Sequence, residues 1–243
     1  HILNDGYGTT VFINEIKELY SWFAYGKKHN LPELKIQCAD FAVWQKAYLN
    51  GDRMDEKLKY WKNQLSGYKP NLSLPADYAR PAVQTFSGSE EFFYISKSVD
   101  LKLKELSCKA GVSLFMVLIS AFKLLIYSFT NQTDIVVGSP VSLRNQEVLD
   151  NLICDFSNML LYRTILDEND SVYDVLRKVK KVALGAFQNQ EAPSQEVFYA
   201  LNKEKDPAYS PLFQMMFVFH QIFPQENDQF LEGLKTKYFN IEK

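Results

Sequence analysis

Apolar residues recur every three or four positions near the start of the chain, which is the spacing of one face of an α-helix. Four of them predict a single buried face: Phe12, Ile16, Leu19 and Phe23. The helix should run to about Tyr25, because Gly26 is a natural stop, and Thr9 or Thr10 can cap its start. Helical spacing predicts two more helices, in ADFAVWQKAYL and MDEKLKYWKNQL.

A stretch with three prolines and no helical period, YKPNLSLPADYARPAVQTFSG, follows at residues 68–88 and indicates an extended connector. After it, strand-like runs alternate with helical spacing. Strands are predicted at EEFFYI, DIVVG, NMLLYRTI and LFQMMFVF, and helices at SVDLKLKELSCKA, GVSLFMVLISAFKLLIYSF and SQEVFYAL. A further helix should run to about Gln188, because Ser171 and Asp174 form a capping box. This alternation indicates an α/β protein.

Composition and charge narrow the classes of partner. The 243 residues are 47% hydrophobic and 23% charged, with a formal net charge of −2, so we expect neither a nucleic-acid nor a membrane partner. The apolar stretch at 111–129 contains Lys123, which favours a core helix over a membrane span. Three cysteines stand far apart, without a CxxC pair. We therefore expect no metal site and a reducing, cytoplasmic compartment.

Candidate chemistry begins with the histidines. His29 lies in a polar turn and His220 follows a predicted buried strand, so both have ordinary structural explanations. His1 opens HILNDG, and the spacing HxxxDG can position a general base. Asp5 can bind an arginine and fix the loop, and Gly6 permits a close approach of the backbone. The pattern alone is weak, and no nucleophile elbow, phosphate loop or dinucleotide fingerprint accompanies it.

Six motifs, in order along the chain, resemble those of the condensation domains of nonribosomal peptide synthetases. HILNDG resembles the latter part of HHxxxDG, and CADFAVWQ at 38–45 resembles YxDYAVWQ. LPADYARPAVQTFSG at 74–88 and DIVVGSPVSLRN at 134–145 resemble LPTDRPRPAVQSFRG and DIVVGTPVAGRN. LICDFSNMLLYRT at 152–164 and SPLFQMMFVFHQ at 210–221 resemble LIGFFVNTLVLRT and SPLFQVMFVLQN. The ordered set is far more specific than HxxxDG alone.

The resemblance implies a chloramphenicol acetyltransferase-like α/β fold of two similar lobes, with the active histidine at a tunnel between them. Residues 1–68 would form the end of the N-terminal lobe with its linking helices, and residues 69–243 the connector and the C-terminal lobe. The N-terminal lobe would be incomplete, because the first histidine of HHxxxDG would precede His1. We therefore expect the isolated chain to be inactive.

The reaction implied by the resemblance is peptide-bond formation, in which an acceptor amine attacks a donor thioester. Upstream and downstream carrier domains would supply both substrates on phosphopantetheine, beside an adenylation domain of the same synthetase, and no cofactor or metal would be bound. His1 would act as a base or orient the amine, and both roles stay open. Asp5 would hold the loop through Arg144, with an arginine outside this chain as the competing choice. Asn158 and Ser139 would line the tunnel.

Three departures from the family pattern keep other functions open. Tyr7-Gly8 stands where Trp-Ser is usual, Ser157 replaces a valine, and NQEAPSQ at 189–195 replaces HQDLPFE. The retained HxxxDG argues against a heterocyclisation domain. The sequence also lacks the catalytic Glu motif of epimerisation domains and the DFGWG motif of plant-type acyltransferases. The remaining alternative is a noncatalytic platform that docks carrier domains or a tailoring enzyme.

Overall fold

The computed structural model describes residues 3–69, 72–201, 206–220, 231, 233 and 234. Their contacts divide the chain into two compact units. The first comprises the described residues of 1–48, 142–157 and 220–243, and the second those of 49–141 and 158–219. The boundaries of these units differ from the lobe boundary expected after residue 68. The contact units and the two lobes implied by the resemblance are different divisions, and the lobe boundary stays a prediction.

The first unit contains three helical segments: α1 (Gly6–Tyr25), α2 (Cys38–Tyr48) and a 3-10 helix (Glu147–Leu149). A small apolar cluster forms its core: Leu149, Leu152 and Phe156, with Ile36, Phe41, Val148 and Cys154 packed against them. Helix α2 contacts this cluster through Phe41, whose ring centroid lies 4.8 Å from that of Phe156 in an edge-on arrangement. The start of α2 is thereby held against the segment that follows the 3-10 helix.

The start of α1 differs from the prediction, whereas its end does not. Asp5 is the N-cap, and its Oδ1 accepts from the Gly8 backbone N–H at 2.6 Å. The predicted caps are wrong, because Thr9 and Thr10 lie inside the helix and their hydroxyls donate to the carbonyl oxygens of Asp5 and Gly6. Gly26 ends the helix in the left-handed conformation, with φ of 68°, which confirms the predicted stop.

The buried face predicted for α1 is wrong. Phe12 and Phe23 are 49% and 77% exposed, and Gly8 is the one buried residue of this fully described helix. A period of 3.6 residues shows which side of a helix is apolar. Burial also needs a packing partner from another segment, and the described residues leave about half of Phe12 and most of Phe23 exposed.

The second unit holds the larger core and a three-stranded sheet. Its helices are α3 (Asp52–Gln64), α4 (Lys97–Ala110), α5 (Leu114–Thr130), α6 (Val172–Gln188) and α7 (Ser194–Ala200). The strands are β1 (Asp134–Ser142), β2 (Ser157–Ile165) and β3 (Met215–Met216), and their order in the sheet is β2-β1-β3. The last residue of β1 and the first residue of β2 are assigned to the first unit, and all other strand residues to the second. Strands β1 and β3 run parallel, with Val137 opposite Met215. This mixture of helix and sheet confirms the α/β fold class.

One apolar cluster forms the core of the second unit, with members from α3, α5, α6, β1 and β2, among them Trp61, Ile119, Val137, Leu160 and Val179. The predicted capping box is confirmed: the Ser171 hydroxyl accepts from the Asp174 N–H, and the Asp174 carboxylate accepts from the Ser171 N–H. Within the described ranges, no single helix is long and apolar enough to cross a membrane. Helices α4 and α5 meet that criterion only as a pair, across a bend of 106°.

Two predicted strands differ from the structure. EEFFYI, residues 90–95, is not a strand, and its aromatic side chains are exposed. A strand needs a hydrogen-bonded neighbour, and no described strand pairs with this segment. LFQMMFVF forms only the two-residue strand β3. Residues 72–90 contain neither helix nor strand, as expected for the connector.

Candidate functional site

Asp5 is the centre of a buried polar network in the first unit. Its side chain is only 9% exposed. Oδ1 accepts from the Gly8 N–H, and Oδ2 accepts from the Phe156 N–H at 3.0 Å. Arg144 Nη2 donates to Oδ1 at 3.1 Å. The structure therefore contains the ion pair that the sequence suggested for Asp5 and Arg144, while its part in catalysis stays a prediction.

The Arg144 guanidinium also binds the backbone of the segment that follows it. Nη1 donates to the carbonyl oxygens of Leu149 and Leu152 at 2.5 and 3.0 Å, and Nη2 donates to that of Cys154 at 2.9 Å. These carbonyls lie at the end of the 3-10 helix and in the turn after it. Arg144 therefore links this turn to Asp5 through hydrogen bonds. No local sequence signal could have indicated that Arg144 binds the turn.

Two aromatic rings cover the Arg144 guanidinium. Its central carbon lies 4.8 Å from the ring centroid of Tyr7 and 4.4 Å from that of Phe156, within the range of cation–π attraction. Tyr7 stands where the family pattern has Trp. Because the Tyr7 ring still lies against the guanidinium, this departure preserves an aromatic contact at the ion pair.

The network controls the protonation of Asp5. Burial raises the pKa of Asp5, but the N–H groups of Gly8 and Phe156 and the Arg144 guanidinium together outweigh it and lower the pKa below its usual value. Ionised Asp5 therefore stabilises the fold above about pH 4, near the pKa of the unfolded side chain. That contribution is lost as the pH falls through the lowered pKa.

The two glycines at the start of α1 differ in how closely other residues pack against them. A Cβ atom on Gly6 would meet nothing within 4 Å among the described residues, and the close approach expected at Gly6 stays a prediction. A Cβ atom on Gly8 would collide with Asn4 Oδ1 and would lie 3.3 Å from Arg144 Nη2. The close packing is at Gly8 because the first turn of α1 turns this residue toward the Asp5 network. A serine here, as in the family pattern, would require Asn4 to move.

His1, the predicted catalytic residue, lies outside the described residues. The nearest part of the site that the structure describes is the loop from Leu3 to the Asp5 network. His29 has a packing role, since its ring lies edge-on to Trp22 with the centroids 4.6 Å apart. No group of three or more His, Cys, Asp and Glu side chains in the described ranges could hold a metal ion.

Asn158 lies on β2 in the second unit, and its amide is engaged with the turn between α6 and α7. Nδ2 donates to the carbonyl oxygens of Gln190 and Ala192, both at 2.7 Å, and Oδ1 accepts from the Ser194 N–H at 3.1 Å. These bonds use the polar atoms that a substrate contact would need. Ser139 is buried on β1. A tunnel-lining role for either residue stays a prediction.

Replacing Asn158 with Ala is expected to lower the free energy of unfolding by about 1–3 kcal/mol, because the half-buried backbone groups of this turn lose their partners. Urea denaturation followed by circular dichroism measures the change. Asn63→Ala is the matched control, since Asn63 is exposed on α3 and its loss should change little. Equal stability of the two variants would contradict the structural role of Asn158.

Lys123 is a buried polar residue whose partners sequence reasoning missed. On α5, its Nζ donates to the carbonyl oxygen of Tyr162 and to Thr164 Oγ1, both at 2.6 Å. The residue has no exposed surface, and burial lowers its pKa to about 7. A single lysine within an apolar stretch was the available signal, but its partners come from a strand about 40 residues further along.

Comparison with known proteins assigns this sequence to a family. The sequence model of the family described as Condensation domain matches residues 1–243. One of the subunits of the linear gramicidin synthase of Brevibacillus parabrevis is 41% identical over 217 residues, which are 89% of this chain and 4% of that protein. The chain thus spans a small part of this curated relative.

Two solved structures share the fold. One is the X-domain in its complex with OxyB from teicoplanin biosynthesis, with a TM-score of 0.80 and 23% identity, over 88% of this chain and 48% of that chain. The other is the first condensation domain of the CDA synthetase, with a TM-score of 0.65 and 19% identity, over 83% of this chain and 44% of that chain. The chain therefore corresponds to about half of each solved chain.

Proposed function

The chain belongs to the condensation domain family, and on this premise we propose that it forms amide bonds in nonribosomal peptide synthesis. The substrates would be a donor acyl or peptidyl thioester and an acceptor aminoacyl thioester, each on a carrier domain. The observation that carries the proposal is the Asp5–Arg144 ion pair, whose side chains are 9% and 3% exposed. Both Asp5 oxygens and both terminal nitrogens of Arg144 are hydrogen-bonded, which offsets part of the cost of burying this pair, and the pair holds Asp5 four positions after His1.

In the proposed mechanism, the acceptor amine attacks the carbonyl carbon of the donor thioester. The C–N bond forms, the C–S bond breaks, and the donor thiolate leaves and takes up a proton. His1 accepts a proton from the amine or orients it for attack. Asp5 and Arg144 are positioning residues, because their polar atoms bind each other and the backbone. Since a thioester is already activated, correct positioning can supply much of the acceleration.

The partners follow from the same proposal. We expect upstream and downstream peptidyl carrier domains and an adjacent adenylation domain, with phosphopantetheine arriving on the carriers as part of the substrates. The 41% identity to part of a linear gramicidin synthase supports this setting. A cytoplasmic location is part of the proposal.

The test is His1→Ala in the intact protein, supplied with loaded donor and acceptor carriers. The peptidyl product on the acceptor carrier is followed by mass spectrometry. We expect product from the wild type and a rate lower by about 10²–10⁴-fold in the variant, the usual contribution of a positioned acid–base group. His29→Ala is the control and should retain the wild-type rate, because His29 packs against Trp22. Equal rates for His1→Ala and the wild type would refute a catalytic His1.

A noncatalytic docking platform is the second candidate function. The observation in its favour is the shared fold with the X-domain, which was solved in complex with OxyB. In the same experiment, a platform would bind the carriers and yield no product even with the wild-type protein. Carrier binding measured beside product formation therefore separates the two functions.

A further inference from the structure

Two cysteines of the first unit lie close together. Cys38 is the first residue of α2, and its Sγ donates to the carbonyl oxygen of Ile153 at 3.4 Å. Cys154 directly follows Ile153 in the sequence. Both thiols are free and partly buried. Because the Ile153 carbonyl oxygen belongs to the peptide bond between Ile153 and Cys154, the Cys38 sulfur lies beside the backbone of Cys154. Burial first, and then a hydrogen bond and the charge of the Cys38 thiol, raise the pKa of Cys154 to about 12.

The two cysteines are also a joint departure from the family motifs. Cys38 occupies the Tyr position of YxDYAVWQ, and Cys154 occupies the Gly position of LIGFFVNTL. Two different residue types are thus replaced by cysteine at two positions that lie close together in the fold. The third cysteine, Cys108, lies exposed on α4 in the second unit and provides an internal comparison.

We propose that Cys38 and Cys154 form a reversible disulfide when the protein meets a hydroperoxide, and that this dithiol is a modification site beside the Asp5–Arg144 network. Facing thiols in proteins of reducing compartments are typically redox-active rather than permanently bridged. The chemistry is independent of the proposed function, because it needs no carrier domain and no thioester.

The oxidation proceeds in two balanced steps. The Cys38 thiolate attacks a peroxide oxygen, the O–O bond breaks, and the departing hydroxide takes up a proton and leaves as water. Cys38 is then a sulfenic acid. Cys154 gives up its proton and attacks the Cys38 sulfur, the S–S bond forms, the S–O bond breaks, and a second water leaves. One hydrogen peroxide is reduced to two waters while two thiols become one disulfide, and a dithiol reductant reverses the change.

The disulfide would act directly on the Asp5–Arg144 network. The Cys154 carbonyl accepts from Arg144 Nη2 at 2.9 Å, and the Phe156 N–H donates to Asp5 Oδ2 at 3.0 Å. A covalent link from Cys154 to α2 would restrict the segment that provides both groups. We therefore expect the Phe156 amide, whose hydrogen bond ends on Asp5, to exchange with solvent more slowly in the oxidised protein.

The experiment treats the intact protein with one equivalent of hydrogen peroxide, alkylates the remaining thiols and maps the peptides without reductant. We expect a Cys38 peptide linked to a Cys154 peptide, absent after dithiothreitol, with Cys108 alkylated. Cys108→Ser should retain the link and Cys38→Ser should abolish it. Separate alkylation of Cys38 and Cys154, their irreversible oxidation to sulfinic acid, or a link to Cys108 would each overturn the proposal.

Hydrogen exchange tests the coupling to the network. In the peptide that contains Phe156, we expect exchange to slow roughly tenfold on oxidation of the wild type, since a cross-link restricts local opening. Cys38→Ser, treated in the same way, should show no such change. Unaltered exchange in the fully cross-linked wild type would overturn the coupling.

Discussion

Arg144→Met is expected to lower the free energy of unfolding by about 3–5 kcal/mol, the range for breaking a buried ion pair from one side. The substitution retains the length of the side chain but leaves the Asp5 carboxylate without its counter-charge. It also removes the donor from the carbonyl oxygens of Leu149, Leu152 and Cys154. Urea denaturation of the intact protein, followed by circular dichroism, measures the loss. Under the proposed function, condensation should be lost as well.

The matched control is Arg177→Met. Arg177 forms an ion pair with Asp174 within α6, and its side chain is 76% exposed, so solvent screens the pair and its removal should cause no measurable change. The effect of Arg144→Met should also shrink below about pH 4, because a protonated Asp5 needs no counter-charge. A loss of stability that is the same at pH 7 and in acid would show that the ion pair is not its cause.

Lys123 is expected to make the free energy of unfolding rise by about 1 kcal/mol per pH unit between about pH 7.5 and about pH 8.5. In the folded protein, burial lowers the pKa of Lys123 to about 7 from 10.5. Between these values the unfolded lysine binds a proton and the folded lysine does not, so stability increases with pH. Lys123→Met should abolish this slope, because the substituted side chain has no titratable group.

The measurement compares urea denaturation at several pH values for the wild type and Lys123→Met. All measurements stay below about pH 9. Burial raises the pKa values of Cys154 and Tyr60 to about 12 in the folded protein. Above the pKa values of the unfolded side chains, these two groups therefore make stability fall with pH and would mask the rise caused by Lys123. Lys181→Met is the control, since Lys181 is exposed on α6. Parallel slopes for the wild type and Lys123→Met would contradict a neutral Lys123 in the folded state.

Signals that act within a few residues determined much of the local structure from the sequence. The helix stop at Gly26 and the capping box of Ser171 and Asp174 agree with the structure, because a cap satisfies backbone groups of its own helix. The α/β class followed from the alternation of periods. Six ordered motifs identified the family and pointed to Arg144 as a partner of Asp5, although these residues are 139 positions apart.

Burial, and the long-range partners other than the Asp5–Arg144 pair, were decided by the tertiary structure alone. The periodicity of α1 could not show that Phe12 and Phe23 are exposed, because burial depends on what another segment contributes. The strand-like pattern of EEFFYI could not show that a pairing strand is absent from the described residues.

The same reason applies to the site. Arg144 binds Asp5, Lys123 binds β2, and Cys38 lies beside Cys154 only because folding brings together segments that are distant in the sequence. The sequence by itself determined the residue types, the local caps and the family. Tertiary packing alone produced the buried ion pair, the lysine of lowered pKa and the neighbouring thiols. Each of these features depends on distances between atoms that no local sequence pattern encodes.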